Sequence, residues 1–465
     1  MQRVAALFAG QGMMARVLRS ASWLMIGYGG SQALRLASNL ILTRILFPEA
    51  FGLMALVSVV TVGLSLFSDV GVGLSIAQSK RGDEPDFLDT AWTIQVIRGF
   101  FLWLMTGLLA WPVAQFYDAP ALALYLPIAG AGLALAGFHP TRVETALRHL
   151  HAGRVTALDL GAQVVGLAAM ILLALAMQSV LALVIGGVIQ AAAKLALYHI
   201  GLPGPGNRFR WEKTAVQELI RFGKWIFLST AFWFLTSQGD RAILGRFVPL
   251  EVLGLYNIGY FLASFPMQLG HAVNQRLMIP VYRDKPADAS PENRRRQRQL
   301  RFGLTGAILS LLLVMAWIGP WLAGLLYDDR YAAAGPMIVL IALALAPAVI
   351  TMTYDQAALA AGDSRGFFVF SATRACLQTG MFLAAVTTLG LGGGIAALAV
   401  SVLAAYPVLV LLAQRHHVWD PLHDLVFFAL CVLFGGSALH WHWPEISTMF
   451  DQVHLLQGMA SIGAN

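Results

Sequence analysis

Long apolar segments alternate with short polar segments along the whole chain. A transmembrane α-helix needs about 20 predominantly apolar residues, and twelve segments come close to that length. A thirteenth candidate, Pro421 to Trp441, contains His423 and Asp424. The pattern predicts an all-α, polytopic membrane protein of about a dozen transmembrane helices. The twelve predicted spans are Ser20 to Phe47, Phe51 to Ile76, Leu88 to Ala114, Ala121 to Phe138, Val155 to Met177, Val180 to Ile200, Leu219 to Phe247, Val252 to Ile279, Phe302 to Tyr327, Pro336 to Ala361, Phe367 to Leu389 and Ile395 to Ala413.

The composition agrees with a bilayer as the solvent. Hydrophobic residues make up 58% of the 465 residues and charged residues only 12%, with a mean hydropathy of +0.69. An average soluble domain contains about 25% charged residues, so a soluble chain this apolar could not cover its own surface with polar groups. The net charge of +7 is also typical of nucleic-acid-binding proteins. Here the basic residues lie in short loops, so no nucleic-acid partner is expected.

The distribution of these loop charges predicts the orientation. If the N-terminus is cytoplasmic, the inside segments hold 24 Lys and Arg residues. The outside segments hold three, Arg44, Arg246 and Arg330. Cytoplasmic loops carry such an excess of positive charge, and a missed helix would have reversed the alternation downstream. We therefore predict a multi-pass protein with a cytoplasmic N-terminus.

Two sequence patterns occur once in each half of the chain. The first outside hairpin, Thr43 to Leu56, is similar to the hairpin Gly245 to Ile258, and each places an Arg eight residues before a Gly. A fainter pair follows the fourth and tenth spans, Ala146 to Arg154 and Ala357 to Arg365. Because each half has six spans, both halves begin on the cytoplasmic side of the membrane. The pattern therefore predicts a parallel repeat related by an axis along the membrane normal.

This repeat predicts two pseudo-symmetric six-helix bundles around a central cavity. The predicted divisions are a cytoplasmic tail at 1–19, a first bundle at 20–200, a cytoplasmic linker at 201–218, a second bundle at 219–413, and a tail at 414–465 that holds the candidate thirteenth helix. Because both halves of such a cavity lie in one chain, we expect a functional monomer.

Ionisable residues inside predicted spans are the candidates for function, because burying a charge in hydrocarbon is costly. Arg35 and Arg98 lie near the middle of the first and third spans. The alternative is structural, with Asp–Arg pairs holding helices together or side chains extending to the interface. The candidates for binding an anionic head group are Arg35, Arg98 and Arg241, and those for binding a coupling ion are Asp69, Asp240 and Asp355.

No catalytic or metal-binding motif is present. The chain lacks the GxSxG and HExxH patterns. Its two cysteines, Cys376 and Cys431, are far apart and form no CxxC pattern. We therefore expect no catalytic residue, no metal and no cofactor.

Several local patterns, in order, resemble the oligosaccharide flippases (Wzx-type polysaccharide transporters) of the multidrug/oligosaccharidyl-lipid/polysaccharide exporter superfamily. The resemblance extends from Ser20 to about Ala413. The matching segments are LTRILFPEAFGLMAL at Leu42 to Leu56, SDVGVGLSIAQ at Ser68 to Gln78, ELIRFGKW at Glu218 to Trp225, and GDRAILGRFVPLEVLGLYNIGY at Gly239 to Tyr260.

The resemblance implies a V-shaped pair of bundles in the inner membrane that exports a lipid-linked oligosaccharide by alternating access. The implied partners are that substrate, membrane lipids and other polysaccharide assembly proteins. One alternative is a multidrug exporter of the same superfamily. Another is a membrane-embedded glycosyltransferase or polymerase, which usually has a large external loop; here the longest, around Tyr327 to Gly335, has about nine residues.

Overall fold

The computed structural model describes residues 13–69, 71–284 and 289–462. Within these ranges the regular structure is helical and contains no strand, so the predicted all-α fold is confirmed. The predicted N-terminal tail lies largely outside the described residues.

The first half of the described chain forms eight α-helices, two of which have only seven residues. Span two is divided between the second and third helices. The helices are α1 (Met13–Ile45), α2 (Pro48–Phe67), α3 (Val72–Gln78), α4 (Pro85–Phe116), α5 (Leu122–Gly137), α6 (Arg142–Arg148), α7 (Ala152–Met177) and α8 (Leu181–Gly201).

The second half forms ten more α-helices, with a 3₁₀ turn at Asp329–Tyr331 and a π-helical turn at Cys431–Gly435. The helices are α9 (Lys213–Phe247), α10 (Leu250–Ala263), α11 (Phe265–Asp284), α12 (Pro291–Leu326), α13 (Ala334–Thr351), α14 (Asp355–Ala360), α15 (Ser364–Arg415), α16 (Pro421–Leu430), α17 (Gly436–Trp441) and α18 (Trp443–Ile462).

Helix α15 contains both the eleventh and the twelfth predicted spans. Gly390 interrupts it with a φ of 67°, a left-handed value that glycine adopts without steric cost. The two spans are therefore two helices, 364–389 and 391–415, that meet at Gly390 without a longer connecting segment. Helix α18 corresponds to no predicted span.

Eight helical segments of the described chain are long and apolar enough to cross a bilayer. The bent pair α5 and α6 would add a ninth. The thirteenth candidate, Pro421–Trp441, is among the eight. In Ala152–Met177 only 17% of the most apolar window is buried by protein, so most of that apolar surface needs lipid as its environment. These helices support a multi-pass membrane protein.

The described residues divide into two compact units. The first contains the residues up to Leu46 and Leu56–Ala231, and the second contains Phe47–Ala55 and the residues from Phe232 onward. Helix α13 forms the core of the second unit, because nearly all of its residues are buried. The predicted division into tails, bundles and linker remains a prediction.

The two copies of the repeated hairpin meet inside the second unit. A methyl group added to Gly52 would overlap the carbonyl oxygen of Leu250, and one added to Gly254 would overlap the carbonyl oxygen of Pro48. Gly254 lies 202 residues after Gly52, and Leu250 lies 202 residues after Pro48. The contact is therefore reciprocal, as at a two-fold axis. The start of α2 and the start of α10 therefore cross backbone to backbone, and glycine is needed at both positions.

The fainter repeat also has one shape in both copies. Helices α6 and α14 each end in a turn of three residues before the next long helix begins. The turn contains one left-handed residue, Leu150 with a φ of 62° or Gly362 with a φ of 73°. In each copy the residue that follows donates its N–H five residues back, from His151 to Ala146 (2.8 Å) and from Asp363 to Ala358 (2.9 Å).

Candidate functional site

In the first unit, Arg98 on α4 is bound to the end of α2. Its Nε donates to Ser68 Oγ at 2.9 Å and its Nη2 to the Ser65 carbonyl at 2.6 Å. Asp69, the next residue after Ser68, accepts a hydrogen bond from the Gly71 N–H at 2.8 Å. The structure thus places two of the predicted residues, Arg98 and Asp69, around the same chain turn.

Arg35 occupies a different place in the first unit. It lies on α1, which packs against α7: Gln163 Nε2 donates to the Ser31 carbonyl at 3.3 Å, and Gly27 faces Thr156. Arg35 itself is exposed on the surface of the unit. Its role as a ligand for an anionic group remains a prediction.

In the second unit, Asp240 and Arg241 tie α9 to α10. Tyr256 Oη donates to Asp240 Oδ2 at 2.6 Å, and Arg241 Nε donates to Asn257 Oδ1 at 3.0 Å. Arg241 Nη1 lies 3.6 Å from Asp240 Oδ1, and its guanidinium carbon lies 4.3 Å from the centre of the Tyr260 ring. Asp240 is only 5% exposed, so these partners offset the cost of burying its charge.

Asp355 lies at the start of α14, next to a charge that the sequence did not single out. Gln356 Nε2 donates to Asp355 Oδ1 at 3.0 Å, and Asp355 interacts electrostatically with Arg374 of α15. Arg374 also interacts with Tyr260, the residue that stacks on Arg241. The Nε atom of Arg374 is buried and has no hydrogen-bond partner in the described chain.

The sequence groups Arg374 with the 24 cytoplasmic Lys and Arg residues, because it lies near the start of the eleventh predicted span. The available signal was its position inside the apolar run Phe367 to Leu389. The structure places it on a membrane-spanning helix with an unsatisfied donor, which makes it a stronger candidate for binding an anion than Arg241.

A second group that the sequence did not assign surrounds the start of α16. Arg301 is 2% exposed, donates from Nη2 to Tyr282 Oη at 2.9 Å, and lies over the Tyr354 ring at 4.4 Å. Tyr354 Oη donates to Asp424 Oδ1 at 2.7 Å. His423 Nδ1 lies 2.8 Å from the same carboxylate oxygen. The candidate thirteenth span is thereby joined to Tyr354, just before α14, and the Tyr354 ring in turn contacts Arg301 of α12.

Further contacts pair most of the other polar atoms of this group, except Arg301 Nε, which is buried and has no hydrogen-bond partner in the described chain. Tyr406 Oη donates to Asp424 Oδ2 at 2.5 Å, and His423 Nε2 lies 3.0 Å from Thr305 Oγ1. Buried networks with nearly every member paired stabilise one arrangement of the helices. We therefore interpret this group as a structural connection within the second unit, in which Tyr282 and Tyr354 fix the position of Arg301. Arg374 has an unpaired Nε as well, and it remains the candidate for binding an anion.

Comparisons with known proteins identify the family of this chain. Residues 41–303 match the sequence profile of the family described as polysaccharide biosynthesis protein. The chain is 22% identical over 370 residues to the succinoglycan biosynthesis transport protein ExoT of Rhizobium meliloti, covering 78% of this chain and 73% of that protein. It is 21% identical to the teichuronic acid biosynthesis protein TuaB of Bacillus subtilis, covering 61% and 58%.

Solved structures share the fold. The lipid II flippase MurJ matches with a TM-score of 0.64 at 10% identity, covering 91% of this chain and 99% of MurJ. A multidrug resistance MATE family transporter of the MOP superfamily matches with a TM-score of 0.60 at 13% identity, covering 83% and 94%. The family match confirms the resemblance that was drawn from the local sequence patterns. At 10% and 13% identity, the solved structures are evidence for the fold alone.

Proposed function

We propose, from the premise that this chain belongs to the polysaccharide biosynthesis protein family, that it is a flippase for a lipid-linked oligosaccharide. The observation that carries the proposal is the family match over residues 41–303, with relatives named for succinoglycan transport and teichuronic acid biosynthesis. The substrate would move from the cytoplasmic to the outer leaflet of the inner membrane during the assembly of a cell-surface polysaccharide.

The physical task explains why charged residues lie on membrane-spanning helices. Sugar hydroxyls and phosphates lose their water partners in hydrocarbon, so the protein must supply substitutes while the lipid tail stays in the bilayer. Alternating access then exposes these groups to one side of the membrane at a time. No covalent step is needed, and we propose no catalytic residue.

We propose Arg374, together with Arg35, Arg98 and Arg241, as ligands for the phosphate groups of the substrate. Arginine suits this task because its planar fork binds phosphate with two parallel hydrogen bonds. In the described chain, Arg98 Nη1 and Arg374 Nε make no hydrogen bond. Both therefore have donors to offer.

Asp69, Asp240 and Asp355 remain the proposed groups for a coupling ion. The surroundings of Asp355 favour it, because its counter-charge is Arg374. A phosphate bound to Arg374 would compete with Asp355 for that positive charge, and a proton or cation on Asp355 would relieve the competition. This arrangement would couple the binding of substrate to the binding of an ion.

The test is export by cells that carry Arg374→Gln, Arg374→Lys or the control Arg365→Gln, which removes an exposed charge from the same helix. We expect Arg374→Gln to abolish export, Arg374→Lys to keep part of it, and Arg365→Gln to leave it unchanged. The measurements are lipid-linked intermediates on each membrane face and protein abundance in the membrane. Normal export per molecule for Arg374→Gln, with reduced abundance, would show that Arg374 is structural.

The shared fold keeps a multidrug exporter as the second candidate. Deletion of the gene separates the two: a flippase loses surface polysaccharide, whereas a drug exporter changes drug susceptibility. The orientation is tested by labelling single cysteines with an impermeant reagent. We expect Gly82, Asn207 and Asp363 to be cytoplasmic and Glu49, Asp118 and Asp329 to be external; a further predicted cytoplasmic position, Asp288, lies outside the described residues.

The functional unit is proposed to be a monomer that works beside other polysaccharide assembly proteins. Rescue of transport by mixing two different inactive variants would contradict the monomer.

A further inference from the structure

The first unit contains a cavity of about 1270 Å³ that none of the proposed transport residues lines. It lies where the starts of α1, α4 and α7 meet the segment between α8 and α9. Its wall includes five arginines and three aspartates, so the ionised side chains leave a positive balance. These residues are Arg19, Arg142, Arg154, Arg208, Arg210, Asp83, Asp86 and Asp89.

The carboxylates of this wall already have partners. Asp83 Oδ2 lies 3.2 Å from Arg148 Nε, and Asp86 Oδ2 lies 2.7 Å from Arg210 Nη2. Asp89 Oδ1 accepts hydrogen bonds from the side-chain amide of Asn207 at 3.3 Å and from the backbone N–H of residue 208 at 3.1 Å. The aspartates are therefore used in holding the wall together.

Two arginines of the wall, Arg154 and Arg208, differ from Arg142 in the contacts of their side chains. Arg142 Nη1 donates to the Leu202 carbonyl at 2.6 Å, and so holds the segment after α8 against α6. Arg154 and Arg208 are exposed, and in the described chain their guanidinium groups make no hydrogen bond or ion pair. They are the two cations of the wall that can accept an anion without breaking an existing contact.

Apolar side chains also contribute to the wall. Trp23, Leu88, Ala146 and Leu150 line it beside the arginines, and the indole of Trp23 packs against Gly153. Tryptophan is enriched where a membrane meets water. A cavity with cations at one part of its wall and apolar side chains at another fits an amphiphile whose head group is anionic.

We propose that this cavity binds the phosphate head group of an anionic lipid, with Arg154 and Arg208 as the phosphate ligands and the apolar wall around the first carbons of the lipid chain. The site is separate from the residues proposed for transport. Its test is a binding measurement, so its outcome does not depend on the flippase proposal.

The experiment titrates the purified full-length protein in detergent with short-chain phosphatidylglycerol, short-chain phosphatidylcholine and inorganic phosphate. Binding is followed by isothermal titration calorimetry. The variant is Arg154→Gln with Arg208→Gln, and the matched control is Arg294→Gln with Arg295→Gln, which removes two exposed charges from the second unit. A basic residue near an anionic lipid surface contributes about a fivefold gain in affinity, so the double variant should bind phosphatidylglycerol about 25-fold more weakly.

The proposal is supported if phosphatidylglycerol binds more tightly than the other two probes and the loss is confined to the double variant. Equal binding of phosphatidylcholine would leave only an apolar cavity and overturn the proposal. Binding of inorganic phosphate as tight as that of the lipid would overturn the assignment to a lipid. An equal loss in the control would show a general effect of charge, which also overturns it. The comparison of the three probes on the unaltered protein stands even if the double variant does not fold.

Discussion

The two three-residue turns that precede α7 and α15 have the same hydrogen bonds but different residues at the position with positive φ. The first turn has Leu150 there and the second has Gly362. By contrast, both copies of the outer hairpin have glycine, Gly52 and Gly254, where the two helices cross. At the crossing a side chain would overlap a backbone atom, whereas in the turn it costs only torsional strain. At the hairpin, glycine is therefore required because a side chain would overlap the backbone of the other helix. In the turn, glycine is only favoured because it adopts a positive φ without strain.

The residue that follows the left-handed position also differs between the turns. In the second turn it is Asp363, whose side chain accepts the Gly366 N–H at 2.9 Å and lies 3.1 Å from His416 Nε2. In the first turn it is His151, which makes no capping hydrogen bond with α7. A side chain of the turn therefore caps the following helix only in the second turn, while in the first turn the side-chain contact is that of His149 Nε2 with Asp83 Oδ1 at 2.9 Å.

The largest effect is expected from a methyl group at the crossing of α2 and α10. Gly52→Ala and Gly254→Ala should each destabilise the protein by roughly 3 kcal/mol, because the helices must separate to admit the new atom. The measurement is the midpoint of thermal unfolding of the purified protein. Gly107→Ala and Gly187→Ala are the matched controls, since nothing lies within 4 Å of a methyl group at either position.

The double variant at the crossing sharpens this comparison. Once one alanine has separated the helices, the second should cost much less than it does alone, because the two sites share one contact. Additive losses, or losses equal to those of the control glycines, would contradict the reciprocal contact.

A smaller effect on stability is expected at the positions with positive φ. Glycine should be more stabilising than alanine there, whereas in an ordinary helix alanine is the more stabilising residue. Leu150→Gly should be more stable than Leu150→Ala by roughly 1 kcal/mol, and Gly362→Ala should lose about the same amount, because alanine is strained in this conformation. The pair of variants at position 150 removes the same packing beyond the Cβ atom, so their difference reports the strain. Greater stability of Leu150→Ala would show that the turn does not have this conformation.

The smallest effect is a dependence on pH in the second turn. Hydrogen bonding from the Gly366 N–H, followed by His416, lowers the pKa of Asp363 below its ordinary value of 3.8. A carboxyl whose pKa is depressed by folding adds stability above its unfolded pKa and loses it as the pH falls through the folded value. Below about pH 4 the unaltered protein should therefore lose stability relative to Asp363→Asn, with thermal midpoints compared over a pH series. A constant difference across the series would mean that Asp363 does not act through its charge.

The sequence by itself determined the helical class, while the bounds of the spans and the division into two bundles remain predictions. The length of an apolar segment predicts a helix in a bilayer, because the backbone N–H and C=O groups there find hydrogen-bond partners only within the helix. The repeated Arg-to-Gly spacing marks Gly52 and Gly254 as equivalent positions of the two hairpins. These features are local, so they can be read along the chain.

Only the tertiary structure decided which charges lie together. Arg374 and Arg301 look like cytoplasmic loop charges in the sequence, yet in the fold the first interacts electrostatically with Asp355 and the second lies over the Tyr354 ring. His423 and Asp424 were visible inside the thirteenth candidate span, but their partners come from helices distant in the sequence. The sequence gives the position of a charge along its helix, whereas the packing of other helices determines what that charge faces and whether a partner offsets the cost of burying it.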